Sequence, residues 1–339
     1  MLIHLTYFVN VFGFSFLQET TYNGGVFKGG CDMEIFFQIL LHVIVPVFSL
    51  IGIGVFFQRK YSLDMNTLSK LNTYLLMPAV SFANVYQSKV EGSTLLLILS
   101  FLVLQSSSLM ILSSSLSRFL GFERSLSSTF KNSIVLVNSG NFGLPVSQLV
   151  FQHNPLGLTI QVLVMIFQNL LTFTYGLFNS VSVDQKGVQA FKLFLKNPVI
   201  YAFSLALVLH TLSIKIPEYI WTPIDNVANA FLAIALITLG AQSAYLKITR
   251  LSTPLVFSLI GRLILSPCIA LIIIFLLDLN GTLAQALFIA SSFPTSRNSS
   301  LFALEYGNHP EYAAQTVLLS TICSMVTVTI VVYISKILF

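Results

Sequence analysis

In this chain of 339 residues, charged side chains make up only 9% and hydrophobic ones 55%, and the mean hydropathy is +0.85. Soluble domains carry about a quarter charged residues, so this composition excludes an ordinary soluble protein and indicates an integral membrane protein. The net charge of +5 includes no basic run that would suit a nucleic acid. The apolar runs are continuous and not alternating, which predicts an all-α fold and excludes a β-barrel.

Residues 1–32 differ in character from the rest of the chain. The segment is aromatic and apolar up to Leu17, then polar and glycine-rich, and it lacks the basic start of a signal peptide. The codons of Lys28-Gly29-Gly30 would spell a purine-rich ribosome-binding sequence shortly before Met33. We therefore expect a bacterial gene whose start is Met33, with residues 1–32 a mis-assigned extension; the alternative is a poorly ordered N-terminal tail.

After Met33, apolar segments of membrane-spanning length follow one another regularly. At roughly 20 apolar residues per span, they predict about ten transmembrane helices. A short polar loop at 180–196 divides them into two five-helix repeats, residues 35–179 and 197–339. The predicted spans are residues 35–57, 68–87, 94–117, 126–150, 157–179, 198–213, 223–246, 252–277, 282–306 and 312–337.

The fourth span of each repeat is interrupted by glycine, proline and asparagine. Because five is an odd number, the second repeat must enter the membrane in the opposite sense to the first. Interrupted helices at matching positions of inverted repeats indicate the binding site of a transporter. We therefore predict that broken spans 4 and 9 meet at the membrane midplane and form a substrate site.

The distribution of Lys and Arg predicts the orientation in the cell membrane. After Met33, the side of the even-numbered loops and the C-terminus holds Lys89, Lys215 and Lys336. We therefore place the odd-numbered loops in the cytoplasm and both termini outside. The eleven basic residues of the odd-numbered loops are Arg59, Lys60, Lys70, Arg118, Arg124, Lys131, Lys186, Lys192, Lys196, Lys247 and Arg250.

The first break is the stretch from Asn138 to Pro145. Its asparagines offer amide donors and acceptors, and Gly140 and Gly143 permit an unwound backbone with positive φ. Pro145 suits the first turn of the following half-helix. The unpaired N–H groups of that half-helix favour an anion.

The second break runs from Phe293 to Ser299, where Pro294 ends one half-helix and Arg297 begins the next. Two helix N-termini and one guanidinium make a carboxylate or phosphate site. The carbonyl ends of the preceding half-helices suit a coupling cation or proton carrier. The candidate substrate-binding residues of both breaks are Asn138, Ser139, Gly140, Asn141, Gly143, Pro145, Pro294, Thr295, Ser296, Arg297 and Asn298.

Two arginines lie deep in apolar segments, where an arginine costs about 2.5–3.5 kcal/mol on insertion scales. Arg297 is interpreted as a clamp for a substrate carboxylate, with pairing to a carbonyl end of the other broken helix as the alternative. For Arg262 in span 8, we favour snorkelling or a tie to a neighbouring helix over substrate contact. Gln105, Gln168 and Asn169 are expected to make interhelical hydrogen bonds.

No motif suggests an enzyme: the sequence has no nucleophile–base pair, phosphate loop, dinucleotide fingerprint or metal cluster. Without an ATP site, the protein is predicted to be a channel or a secondary carrier, and paired breaks favour the carrier. No acidic residue lies clearly at mid-membrane to relay protons. We expect no cofactor apart from a coupling H+ or Na+.

Several short motifs occur together: Asn138 through Gly143-Leu144-Pro145, Asn197-Pro198, Leu239-Gly240-Ala241, Pro294-Thr295 with Asn298, Glu305-Tyr306-Gly307 and Leu318-Leu319-Ser320-Thr321. At these motifs the sequence, over about residues 35–339, resembles the auxin efflux carrier family. That family includes plant auxin exporters and bacterial malate or malonate permeases.

The resemblance implies two inverted five-helix repeats whose spans 4 and 9 cross at their breaks. It also implies a scaffold of spans 1, 2, 6 and 7, often dimeric, beside a transport domain of spans 3–5 and 8–10. The family binds organic anions at the crossing, at positions matching Asn138, Pro145, Pro294 and Asn298. Arg297 is a charge not expected in auxin carriers, which favours a small mono- or dicarboxylate, and the short central loop favours the bacterial type.

We therefore predict a permease that moves a small organic anion across the membrane by an alternating-access, elevator-like motion. Two alternatives remain. One is a sodium-coupled symporter of the bile-acid type, and the other is a membrane sensor that binds a ligand without transporting it.

Overall fold

A computed structural model describes residues 36–87, 92–180, 198–245 and 251–339. The expectations for residues 1–32 and for the loop that follows Ser180 lie outside these described residues.

Helices dominate the described residues, and no strand occurs among them. Two helices are broken, and their halves are labelled a and b. In chain order, α1 is Phe36–Tyr61, α2 covers residues 65–87, α3 is Gly92–Phe119, α4a is Arg124–Val135, α4b covers residues 139–150, α5 is Pro155–Ser180, α6 is Pro198–Thr211, α7 is Glu218–Ser243, α8 is Thr253–Leu276, α9a is Gly281–Ser291, α9b is Arg297–Glu305 and α10 is Pro310–Leu338.

Six of the described helices are long and apolar enough to cross a membrane: α1, α3, α5, α7, α8 and α10. This confirms the predicted all-helical membrane fold. The 14 residues of α6 extend about 21 Å at 1.5 Å per residue, less than the roughly 30 Å of bilayer hydrocarbon. The inverted relation between two sets of five spans stays a prediction.

Several helices widen in the turn before a proline. A proline lacks the N–H that would bond four residues back, and its ring clashes with that carbonyl group. In each case a five-residue π-helical turn, in which an N–H donates to the carbonyl five residues back, ends two residues before the proline. The helix therefore continues without a sharp break. These turns are Leu40–Ile44 before Pro46, Asn72–Leu76 before Pro78, Ser139–Gly143 before Pro145 and Gly261–Leu265 before Pro267.

Helices α1 and α7 cross at unusually close range because each has a glycine at the contact. A Cβ atom on Gly54 would stand 2.0 Å from the carbonyl oxygen of Ile237, and one on Gly240 would stand 1.9 Å from that of Ile51. Small residues allow this approach of two backbones within a membrane. Gly240 is the middle residue of Leu239-Gly240-Ala241, one of the motifs that carry the family resemblance, and its role here is packing.

The remaining helices surround the two breaks. α6 packs against α2, and α2 also contacts α5 and α7. α4a packs against α3, while α9a packs against α5, α8 and α10. The broken helices are therefore enclosed by neighbours that can satisfy the backbone groups left free in the breaks.

Replacing Gly54 by Ala is expected to lower the melting temperature of the purified protein. The added methyl group must push the α7 backbone away, and overpacking of this kind costs about 1–3 kcal/mol. Gly52→Ala on the same helix is the matched control, because its Cβ would meet nothing within 4 Å. Equal melting temperatures for the two variants would contradict the close contact.

Candidate functional site

The two breaks pair with each other through their backbones. Val137 and Thr295 form an isolated antiparallel bridge. The Asn138 N–H donates to the Pro294 carbonyl at 2.9 Å, and the Ser296 N–H donates to the Leu136 carbonyl at the same distance. Because lipid cannot satisfy free backbone groups, this pairing is what allows two helices to be interrupted here.

Side chains from other segments hold the paired breaks. The Thr295 N–H donates to the Ser320 hydroxyl of α10 at 3.1 Å, and the Thr295 hydroxyl donates to the Ser133 carbonyl at 2.8 Å. Gln161 of α5 donates through Nε2 to the Ser139 carbonyl at 2.8 Å. Ser320 belongs to a family-like motif of the sequence, and its place at the second break gives that motif a physical reason.

The glycines of the first break do not adopt the positive φ expected from the sequence. Gly143 has φ of −66°, and Gly140 is also outside that region of backbone conformation. They are required for space: a Cβ on Gly143 would lie 2.6 Å from the Phe293 ring, and one on Gly140 would lie 2.9 Å from Met77 Cε. The prediction of positive φ was wrong because the break is a widened helical turn.

The half-helix after the first break opens with a wide turn. This turn starts at Ser139, and the Gly143 N–H donates to the Asn138 carbonyl at 2.9 Å within it. Pro145 lies in the first turn of the regular α-helix that follows, Leu144–Val150, as expected. In the second break, α9b begins at Arg297 as expected, and the Ser296 hydroxyl caps it by accepting from the Asn298 N–H at 3.3 Å.

A cavity of about 290 Å³ lies beside the paired breaks, between them and helices α2, α5 and α7. The first residues of α4b and α9b both line it, so two helix N-termini face the same space. The lining residues are Ser69, Asn72, Thr73, Met77, Val137, Asn138, Ser139, Gly140, Asn141, Gln168, Asn169, Thr172, Phe173, Gln242, Ser296, Arg297, Asn298 and Leu301.

The structure separates the eleven candidate residues into two groups. Four of them, Gly143, Pro145, Pro294 and Thr295, are buried in the packing of the crossing and do not line the cavity. The other seven, Asn138, Ser139, Gly140, Asn141, Ser296, Arg297 and Asn298, line it.

The cavity lining is polar and carries positive charge. Among the described residues that line it, Arg297 is the single ionisable side chain, and none is a carboxylate. Seven carboxamides share the lining with the guanidinium: Asn72, Asn138, Asn141, Asn169, Asn298, Gln168 and Gln242. Such a lining can donate many hydrogen bonds and balance one negative charge.

Several of these carboxamides have buried atoms without a hydrogen-bond partner among the described residues. Both Nδ2 and Oδ1 of Asn72 are in this state, as are Asn138 Nδ2, Asn141 Oδ1 and Gln242 Oε1. Leaving a buried polar group unpaired is costly, so such atoms occur mainly where water or a ligand pairs with them. Five such atoms, from four side chains, lie around this cavity, which makes it the candidate binding site.

The two deep arginines have different surroundings. Among the described residues, the guanidinium of Arg297 makes no hydrogen bond or ion pair. The one ion pair recorded among them joins His309 and Glu123. Arg262 is fully buried and donates to the Ile134 carbonyl at 2.9 Å and to the Ser291 carbonyl. Arg262 therefore pairs with carbonyl ends of the broken helices, which is the arrangement predicted from the sequence as the alternative for Arg297.

Among the carboxamides that line the cavity, the sequence interpretation missed Asn72 and Gln242. Asn72 lies six residues before Pro78, the same spacing as Ser139 before Pro145, so a polar residue at this distance from a mid-span proline was an available signal. Gln242 directly follows the Leu239-Gly240-Ala241 motif.

In the described part of the chain, no three His, Cys, Asp or Glu side chains cluster as metal ligands. The expected interhelical hydrogen bonds are present for two glutamines. Gln105 Nε2 donates to the Ser266 carbonyl at 2.9 Å, and Gln168 Oε1 accepts from the Val137 N–H at 3.4 Å.

A second cavity of about 360 Å³ lies further along α2, near the end of α4b and the first half of α7. Buried apolar side chains of α2, α4b and α5, among them Leu76, Leu144 and Met165, pack together between the two cavities. The second cavity is lined by Val80, Ala83, Asn84, Gln87, Gln148, Leu149, Gln152, Leu158, Asp225, Ala228, Asn229 and Leu232.

Ser320→Ala is expected to destabilise the crossing, because it leaves the buried Thr295 N–H without its acceptor. An unsatisfied buried donor costs about 1–3 kcal/mol. The matched control is Ser324→Ala, one turn further along α10, whose equally buried hydroxyl donates only to Thr321 of its own helix. Melting temperatures should fall for Ser320→Ala alone; a similar loss in both variants would count against the support role.

A sequence profile of the family described as membrane transport protein matches residues 39–332. No curated protein matches the chain significantly. The profile covers both breaks and the cavity, and it confirms the family indicated by the motifs. The chain therefore belongs to the membrane transport protein family, of the auxin efflux carrier type, and is a multi-pass membrane transporter.

Proposed function

We propose that the protein is a secondary carrier for a small organic anion, a mono- or dicarboxylate, bound in the cavity beside the crossing. The observation that carries this proposal is the unpaired guanidinium of Arg297 in a lining without carboxylates. A charged group deep in a membrane protein is retained where it meets water, a partner or a substrate. Among the described residues Arg297 has no partner, which leaves it free to bind a carboxylate.

The helix termini in the cavity also favour a negatively charged ligand. The N-terminal ends of α4b and α9b carry about half a unit of positive charge each, and both point into the cavity. Together with Arg297 they favour a ligand with one carboxylate close to the crossing. The carboxamides, Asn72 among them, can then bind a hydroxyl group or a second carboxylate.

The volume of the cavity limits the size of the ligand. Drug-sized molecules occupy pockets of about 300–1,000 Å³, and this cavity is at the lower limit with about 290 Å³. The proposal is therefore for short-chain acids, with malate and malonate as the first compounds to test.

Alternating access is proposed as the transport mechanism because two cavities lie on either side of one apolar layer. The first adjoins the start of α2 and the end of α7, next to loops rich in Lys and Arg that we assign to the cytoplasm. The second adjoins the opposite ends of these helices. An elevator-like shift of the broken helices and α5 along α2 and α7 would move the site from one side to the other.

Arg297→Gln is expected to abolish binding of carboxylates without unfolding the protein. Truncating one partner of a buried charge pair costs about 2–5 kcal/mol, while Arg297→Lys keeps the charge but not the two-pronged geometry and should bind with intermediate affinity. Thermal-shift titration with mono- and dicarboxylates measures the binding, and counterflow of labelled malate or malonate in proteoliposomes measures the transport. Unchanged affinity in Arg297→Gln would defeat the proposed site.

Asn72→Ala is expected to weaken binding by about tenfold or more, since a hydrogen bond to a charged group contributes about 1.5–3 kcal/mol. The control is Asn66→Ala, an exposed asparagine on the same helix that does not line the cavity. The same thermal-shift titration compares the two variants. If Asn66→Ala weakens binding as much as Asn72→Ala, the assignment of Asn72 is wrong.

A further inference from the structure

Arg262 occupies the other face of the crossing from Arg297. Its side chain is completely buried, and it is the largest of the fully buried side chains. One guanidinium nitrogen donates to the Ile134 carbonyl at 2.9 Å, and the other donates to the Ser291 carbonyl and the Ser266 hydroxyl. The two carbonyl groups belong to α4a and α9a, so a single side chain joins both broken helices.

Both carbonyl groups lie in the last turn of their half-helices. α4a ends at Val135 and α9a ends at Ser291. The C-terminal end of a helix carries about half a unit of negative charge, so two such ends present about one negative charge. No carboxylate forms an ion pair with Arg262 in the described part of the chain. Its charge is therefore balanced by the ends of the two helices.

The surrounding residues are arranged to admit this guanidinium. Gly261 has no side chain where α8 meets α4a, and a Cβ there would lie 2.8 Å from Ile134 Cδ1. Gln105 of α3 donates to both the carbonyl and the hydroxyl of Ser266, at 2.9 and 3.1 Å. Ser266 in turn donates to the Ser291 carbonyl at 2.8 Å. Three helices thus fix the position of the charge.

In carriers with broken helices, the C-terminal ends of the half-helices and the unwound carbonyl groups are where coupling cations bind. We propose that Arg262 is a resident cation at the crossing, and that it takes the place of a coupling Na+ so that the transport cycle needs no sodium there. The part of this inference that concerns the transport cycle rests on the proposed function. The structural part, a cation required between two helix ends, can be tested separately.

The structural part is tested with Arg262→Ala and an added cation. The variant is expected to melt at a lower temperature than the wild type, and millimolar guanidinium chloride should recover most of the loss. Urea at the same concentration has the same planar shape without the charge and should recover none. Equal effects of guanidinium and urea, or no recovery by guanidinium, would overturn the requirement for a cation.

A second variant keeps the test decisive if Arg262→Ala does not fold. Arg262→Met fills a similar volume without charge and should also lower the melting temperature, while Arg262→Lys should lower it less. If Arg262→Met is as stable as the wild type, the charge is not needed and the proposal fails.

The transport part is tested on the wild-type protein. Its melting temperature, and the counterflow of labelled malonate in proteoliposomes, should be the same in sodium chloride and in choline chloride. Stabilisation by sodium, or counterflow that requires it, would overturn the proposal. If the wild type moves no organic anion in either salt, the proposed function fails, while the guanidinium experiment still decides the role of Arg262.

Discussion

The structure depends on one constraint, which is that two interrupted helices must satisfy each other's backbone. The unwound segments 136–138 and 292–296 at the two breaks exchange two hydrogen bonds, so each satisfies backbone groups that the other leaves free. The serine of α10, the glutamine of α5 and the glycines of the first break all act on this pairing. Their residue types are set by the space and the hydrogen bonds that a crossing of two unwound segments requires.

The crossing also separates charge. The N-terminal ends of the second half-helices face the cavity with Arg297, and the C-terminal ends of the first half-helices face Arg262. One guanidinium therefore has unpaired donors directed at a space that a ligand can enter, and the other donates to two main-chain carbonyl groups and to the Ser266 hydroxyl. In the proposed carrier, the same residue type would bind the ligand on one face and join the broken helices on the other, because the helix ends on the two faces have opposite polarity.

Much of this arrangement could be predicted from the sequence. Composition and periodicity indicated the membrane helices, and the Gly, Pro and Asn residues indicated both breaks, because such residues are costly inside apolar helices. The backbone conformation of the first break could not be predicted, because a π-helical turn in a crowded place and a left-handed turn both favour glycine. Here the glycines are needed for space beside Phe293 and Met77, and those contacts are visible only in the structure. Asn72 was missed because its one signal in the chain is the spacing to Pro78, while its place beside the crossing comes from the packing of α2. The hydrogen-bond acceptors of Arg262 could not be predicted either, because they are distant in the sequence.

The absence of a carboxylate from the cavity lining has an electrical consequence for the proposed carrier. The lining side chains sum to one positive charge when the site is empty, to zero with a monocarboxylate bound, and to one negative charge with a dicarboxylate. Each elementary charge that crosses the membrane exchanges about 2.3 kcal/mol per 100 mV with the membrane potential. For a monocarboxylate, the voltage-sensitive step would then be the return of the empty site. For a dicarboxylate, both the loaded and the empty movements would carry charge, and because both the sign and the direction are reversed, the two contributions would add, so the ionisation state of the substrate would determine how the membrane potential drives the cycle.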